Sequence, residues 1–136
     1  MPRAVARRRG GYTHEVEIDG EHTLIADEPE ATGGLNRGPS PTRMLAAALA
    51  ACTAITIEMY AKRKEWEVGA VEVDVEMSYD DRGVPDEFVV TLNLEGGLTE
   101  EQLERLRVIA GKCPVHRTLA AETSVSITDR IAPLTP

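Results

Sequence analysis

From Met44 to Ile57 the chain carries no charged residue, and apolar side chains fall on nearly every helical face. A helix of that kind cannot lie on a surface, because it has no polar side to turn to water. Its start is marked by Ser40-Pro41, a hydroxyl free to cap an orphan N–H followed by a proline tolerated at the first helical position. Lys62, Arg63 and Lys64 close it with charges that suit the helix dipole. The uncharged run is shorter than the roughly 18 residues of a membrane span, so the expectation is a helix buried in protein. The rest of the chain must then supply the layers that cover it.

Those layers read as strands and shorter helices. THEVEI and EHTLIA, joined by Asp19-Gly20, predict a hairpin with a type I′ turn over Thr13 to Ala26. Residues 27–39 are rich in glycine and proline and form a loop. Val71, Val73, Val75, Met77 and Tyr79 alternate with polar residues, and Phe88, Val90, Leu92 and Leu94 give the matching face of a returning strand. Thr99-Glu-Glu-Gln102 is a capping box that opens a second helix, with Leu103, Leu106, Ala110 and Cys113 on its inner face. Pro114 interrupts that helix, a short helical piece follows, and Ser124 to Thr128 predicts a last strand. The order is ββ-α-ββ-αα-β, an α+β layout of helices on antiparallel sheet.

The 136 residues are expected to form one domain, 1–136. A net charge of −8 excludes sequence-independent binding of nucleic acid, which needs a surplus of Lys and Arg. Only residues 1–10 run against this balance, with Arg3, Arg7, Arg8 and Arg9, and they read as a solvated basic tail or a strand extension. No apolar leader with a small-residue cleavage site opens the sequence, so the expected location is cytoplasmic and not the membrane. In that reducing compartment two cysteines serve as core filler or as chemistry.

Cys52 lies on the apolar helix, where a cysteine is commonly a small buried hydrophobe, and it sits too far from the helix start for the dipole to acidify it. A reactive Cys52 needs a nearby cation. Cys113 stands just before Pro114 and Arg117, near free N–H groups, so local physics makes it the more acidic thiol. Cys113-x-x-His116 permits a metal half-site, but only Cys52 offers a third ligand, and no metal is expected. His14 and His22, on opposite strands of the first hairpin, could face each other, but no nucleophile stands beside them. No phosphate-binding glycine loop is present, and no bound cofactor is expected.

GPSPTRMLAAALAACTAITIEMYAKRKEW and, far downstream, CPVHRTL resemble the two signature segments of the OsmC/Ohr family, and the likeness extends through Ile25-Ala-Asp-Glu-Pro29. The resemblance implies an intertwined α+β homodimer with long buried central helices flanked by antiparallel sheets. It implies a thiol peroxidase in which Cys52 is the peroxidatic and Cys113 the resolving cysteine, organic hydroperoxides are the substrate, and an external dithiol, often a lipoyl group on a protein, is the reductant. Peroxidase members hold an arginine on the thiolate with a glutamate in the first turn of the helix, and that position is Thr42 here, followed by Arg43. Candidates for the activating or pocket role are Arg37, Thr42, Arg43 and Arg117, with the N-terminal arginines beside them. A non-catalytic module for a small hydrophobic ligand on the same fold is the alternative. A general disulfide oxidoreductase ranks last, since the cysteines form no C-x-x-C.

Overall fold

The N-terminal arginines do not trail into solvent. In the computed structural model, which describes residues 1–135, they form β1 (Ala4–Gly10), antiparallel to β2 (Thr13–Ile18), which pairs in turn with β3 (His22–Ala26). The reason is cross-strand charge: Arg7 meets Glu17 at 3.7 Å and Arg9 pairs with Glu15, while the Arg3 N–H donates to Asp19 Oδ1 at 2.8 Å. Of the two readings of residues 1–10, the strand extension holds and the solvated tail does not. Asp19 and Gly20 both take positive φ, 54° and 68°, as the type I′ turn requires. His14 and His22 do not face each other; His14 pairs with Ala26 and His22 with Ile18.

The loop after β3 is organised by one carboxylate. Asp27 is 1% exposed and accepts from the Thr13 hydroxyl at 2.7 Å and from the N–H groups of Glu28, Leu35 and Arg37 at 2.7, 3.4 and 3.2 Å. Gly34 and Gly38 are obligatory here, because a Cβ would stand 1.9 Å from the Glu28 carbonyl oxygen and 2.3 Å from that of Ile25. Burial works to raise the Asp27 pKa, but the Thr13 hydroxyl and the three N–H donors outweigh it and hold it below the usual carboxylate value. A depressed native pKa stabilises the fold above the unfolded value and loses that contribution as pH falls through the native one. Asp27→Asn is therefore expected to be less stable than wild type near neutral pH, with the gap closing in acid. Urea melts at about pH 7 and about pH 3 check this, and a gap that stays constant would rule out the carboxylate charge as its source.

Helix α1 (Pro41–Arg63) begins where Ser40 and Pro41 predict, with the Arg43 N–H 3.4 Å from the buried Ser40 Oγ. At 23 residues it is long and apolar enough to cross a membrane by length and composition. The chain covers one stripe of it, Leu49, Thr53, Ile57, Tyr60 and Ala61, at the i, i+4 spacing of a helix with protein on one side. Ile55 and Met59 remain 50% and 64% exposed, so a single chain does not surround the helix as its composition predicts. One chain of this size has too few other elements to wrap all its faces.

Strands β4 (Val71–Tyr79) and β5 (Pro85–Leu94) form the second hairpin, with Val71, Val73, Val75 and Met77 on the half-buried face opposite the polar alternates. Helix α2 (Glu100–Ala110) has the predicted capping box, with the Gln102 N–H on Thr99 Oγ1 at 3.1 Å and the Thr99 N–H on Gln102 Oε1 at 2.9 Å. Its covered residues are Leu106, Ile109 and Ala110; Leu103, expected inside, is 42% exposed and Ile109 takes its place. Helix α3 (Pro114–Leu119) follows at once. The strand expected over Ser124 to Thr128 is not formed: from Glu122 onward the described residues have no regular structure, with Val125 and Ile127 exposed. A strand needs a partner for its backbone groups, and the chain pairs none with this segment.

The chain packs as two compact units, one of residues 1–51 with 73–93 and one of residues 52–72 with the chain from Leu94 onward.

Candidate redox site

Both cysteines belong to the second unit, and both are free thiols. Cys52 is carried by α1 beside the covered stripe and is half-buried; Cys113 ends the turn after α2 and is 0% exposed. The Cys52 side chain lies close enough to Cys113 to act on its thiol. Residues remote in sequence thus share one neighbourhood, which a disulfide between them requires.

The position of Cys113 follows from Pro114. Proline takes the first helical position of α3, which makes Cys113 its N-cap, and the His116 N–H donates to Cys113 Sγ at 3.5 Å. The expectation of a sulfur at the start of a short helix is met. The expectation that this makes Cys113 an acidic thiol is not. Burial, and next the neighbouring Cys52 thiol, push its pKa up, and the N–H groups of His116 and Val115 only partly oppose them. Burial wins because a fully covered thiolate loses its hydration and, among the described residues, no cation is hydrogen-bonded to it.

Of the other candidates, Thr42 forms a hydrogen bond with Tyr79 Oη at 2.9 Å, in an open cleft of about 440 Å³ that Arg43, Ser40 and Glu28 also line. Both, with Arg37 and the N-terminal arginines, belong to the first unit. Arg37 contributes its backbone N–H to Asp27. Arg117 lies on α3 in the cysteines' own unit, with its carbonyl accepting from the Glu122 N–H at 2.9 Å. No group of three or more metal-ligating side chains occurs among the described residues.

Three features went unread in the sequence. Thr53, next to Cys52, is 1% exposed, and its hydroxyl has no hydrogen-bond partner. Tyr60 accepts from Arg105 Nε at 3.0 Å, with Arg63, Lys64 and Arg105 all 5.7 to 5.9 Å from its ring centre. The Arg105 hydrogen bond, working against burial and helped by the three positive charges, lowers the Tyr60 pKa. His116 Nδ1 stands 3.8 Å from Glu122 Oε2. The i, i+4 stripe through Leu49 and Ile57 was the signal for Thr53; the Tyr60–Arg105 bond joins two helices, and His116 meets Glu122 only because the chain turns back after α3.

The OsmC-like protein family model matches residues 33–128, which takes in both cysteines. The chain belongs to the OsmC-like family. Its fold is that of solved OsmC-like proteins. An osmotic-stress-induced and detoxification-response candidate from Psychrobacter arcticus superposes with a TM-score of 0.78 at 20% identity, with 85% of each chain covered. An OsmC like protein from Mycoplasma pneumoniae gives 0.72 at 20% identity, covering 88% of this chain and 86% of its own. OhrB of Bacillus subtilis, an organic hydroperoxide resistance protein, gives 0.58 at 27% identity, covering 87% and 89%. No curated protein matches the chain.

Proposed function

We propose that this OsmC-like protein is a cytoplasmic two-cysteine thiol peroxidase that reduces organic hydroperoxides. The observation that carries the reading is that Cys52 neighbours the enclosed Cys113 thiol from a remote part of the sequence, within the same unit. The order of roles has support in their exposure: Cys52 is partly open to an incoming peroxide and Cys113 is fully covered. Likeness to organic hydroperoxide resistance proteins favours an alkyl hydroperoxide as substrate.

In the first step the Cys52 thiolate attacks the distal peroxide oxygen, the O–O bond breaks, and the alkoxide leaves as alcohol after taking a proton. Cys52 becomes a sulfenic acid. Cys113 then displaces hydroxide from it, closing the disulfide, and an external dithiol such as a lipoyl group restores both thiols. The test is one equivalent of cumene hydroperoxide on the reduced chain, followed by peptide mass analysis. A Cys52–Cys113 disulfide is the expected product; thiols that stay free sink the reading.

The same reading includes a homodimer. Exposed Ile55 and Met59 on α1, and the alternating exposed Val125 and Ile127 that no strand of the chain pairs, are the surfaces a second copy would cover. Light scattering should give twice the 14.8 kDa chain mass, and a monomer at micromolar concentration would remove this part.

A further inference from the structure

Helix α1 and the segment from α2 to Cys113 come together at two places in the unit that carries the cysteines. At one, Cys52 neighbours Cys113; at the other, Arg105 Nε donates to Tyr60 Oη at 3.0 Å. Tyr60 is eight residues after Cys52, so the second place stands roughly 12 Å along α1 from the first, at 1.5 Å of rise per residue. Three cations gather there. Arg63, Lys64 and Arg105 lie 5.9, 5.8 and 5.7 Å from the centre of the Tyr60 ring, against which Trp66 packs edge-on at 5.6 Å. All three cationic residues are exposed, while the tyrosine between them is 9% exposed.

No carboxylate of the chain answers these charges. Arg7, Arg9, Arg82 and Arg107 each stand within ion-pair range of a Glu or Asp, whereas Arg63, Lys64 and Arg105 have no such partner among the described residues. The helix dipole accounts for Arg63 and Lys64 at the end of α1, but Arg105 comes from the middle of α2, and three like charges round one ring repel more than the ring offsets. In a chain of net charge −8 this is a local positive field open to solvent, of the kind that guides an anionic protein surface to one place. We propose that the cluster of Arg63, Lys64 and Arg105 around Tyr60 is the landing site for an acidic protein that carries the reducing dithiol. The proposal rests on the two-cysteine peroxidase reading and belongs to its last step. A dithiol on a long flexible arm spans the distance from the cluster to the Cys52–Cys113 disulfide. Its first thiolate attacks Cys52, the more exposed sulfur; the S–S bond breaks, and Cys113 leaves as a thiolate that takes a proton. The second thiol then displaces Cys52 from the mixed disulfide, so the carrier's dithiol is oxidised to a disulfide and both protein thiols are restored.

The test uses the full chain, oxidised with one equivalent of cumene hydroperoxide, and two synthetic peptides that each carry a dihydrolipoyl-lysine, one flanked by glutamates and the other by glutamines. Return of the protein thiols is read by alkylation and mass. At low ionic strength the acidic peptide should reduce the disulfide about tenfold faster than its neutral twin, and the preference should shrink toward one as salt approaches about 0.5 M. The double variant Arg63→Gln with Lys64→Gln keeps both partners of the Arg105–Tyr60 bond and should bring the preference close to one at low salt. Arg82→Gln with Arg107→Gln removes as much charge from residues outside the cluster and should keep it. Equal rates for the two peptides on wild type, or a preference that the Arg63 and Lys64 variant retains, overturn the landing site while the disulfide chemistry stands. A preference lost equally in both double variants assigns the effect to overall charge and overturns it too. A wild type that forms no Cys52–Cys113 disulfide overturns the peroxidase reading and the landing site together.

Discussion

Cys52→Ser is expected to lower hydroperoxide consumption, measured with dihydrolipoamide as reductant, by at least about a thousandfold. A serine hydroxyl is not ionised near neutral pH and cannot replace a thiolate as nucleophile toward a peroxide oxygen. Cys113→Ser should behave differently. Its first turnover remains, because Cys52 is untouched, but the sulfenic acid then lacks its partner and either meets the external thiol directly or is oxidised further to sulfinic acid. The two variants therefore separate by their products as well as by rate. If Cys52→Ser keeps its activity and Cys113→Ser loses it, the roles are reversed, despite Cys52 being the more exposed of the two thiols. Hydrogen peroxide beside cumene hydroperoxide in the same assay reports how far an alkyl group contributes.

Leu106→Ala should destabilise the protein by about 2–5 kcal/mol, which is a large share of the roughly 5–15 kcal/mol that hold a domain folded. Leu106 and Ile57 are both 0% exposed and are the largest fully covered side chains of the unit that carries the cysteines. Removing three methylene-sized groups from such a site loses their transfer free energy and leaves a cavity that the neighbours only partly close. Ile57→Val, which removes one, should cost about 0.5–1.5 kcal/mol and calibrates the first result. Urea unfolding reads both. A Leu106→Ala loss below about 1 kcal/mol would mean that the residue is not enclosed. Since Leu106 lies two turns before Cys113, disulfide closure measured on the same variant reports how far the core sets the sulfur's position.

Much of this protein was legible along the chain. Wherever neighbours in sequence decide the structure, the reading held: the Asp19-Gly20 turn, the start of α1 at Ser40-Pro41, the Thr99 capping box and the alternation of β4 each depend on residues within a few positions of one another. The family signature around Cys52 and Cys113 also lies in short local segments. Readings that failed needed a partner from elsewhere. Residues 4–10 became a strand because β2 offers them a backbone partner and, diagonally across it, Glu17 and Glu15 for Arg7 and Arg9, and residues 124–128 did not because the chain supplies no strand to pair with.

The site divides in the same way. Two cysteines, the proline that sets one at a helix start and the residue classes around them are written in the sequence. Whether the thiols meet, and which is the more exposed, is not, because burial and contact are properties of packing. The sharpest case is Cys113: nearby N–H groups argue for an acidic thiol, and full enclosure reverses the direction. The long apolar helix shows both sides, since its composition demanded cover on every face and tertiary structure decided that one chain covers only the stripe through Leu49, Thr53 and Ile57.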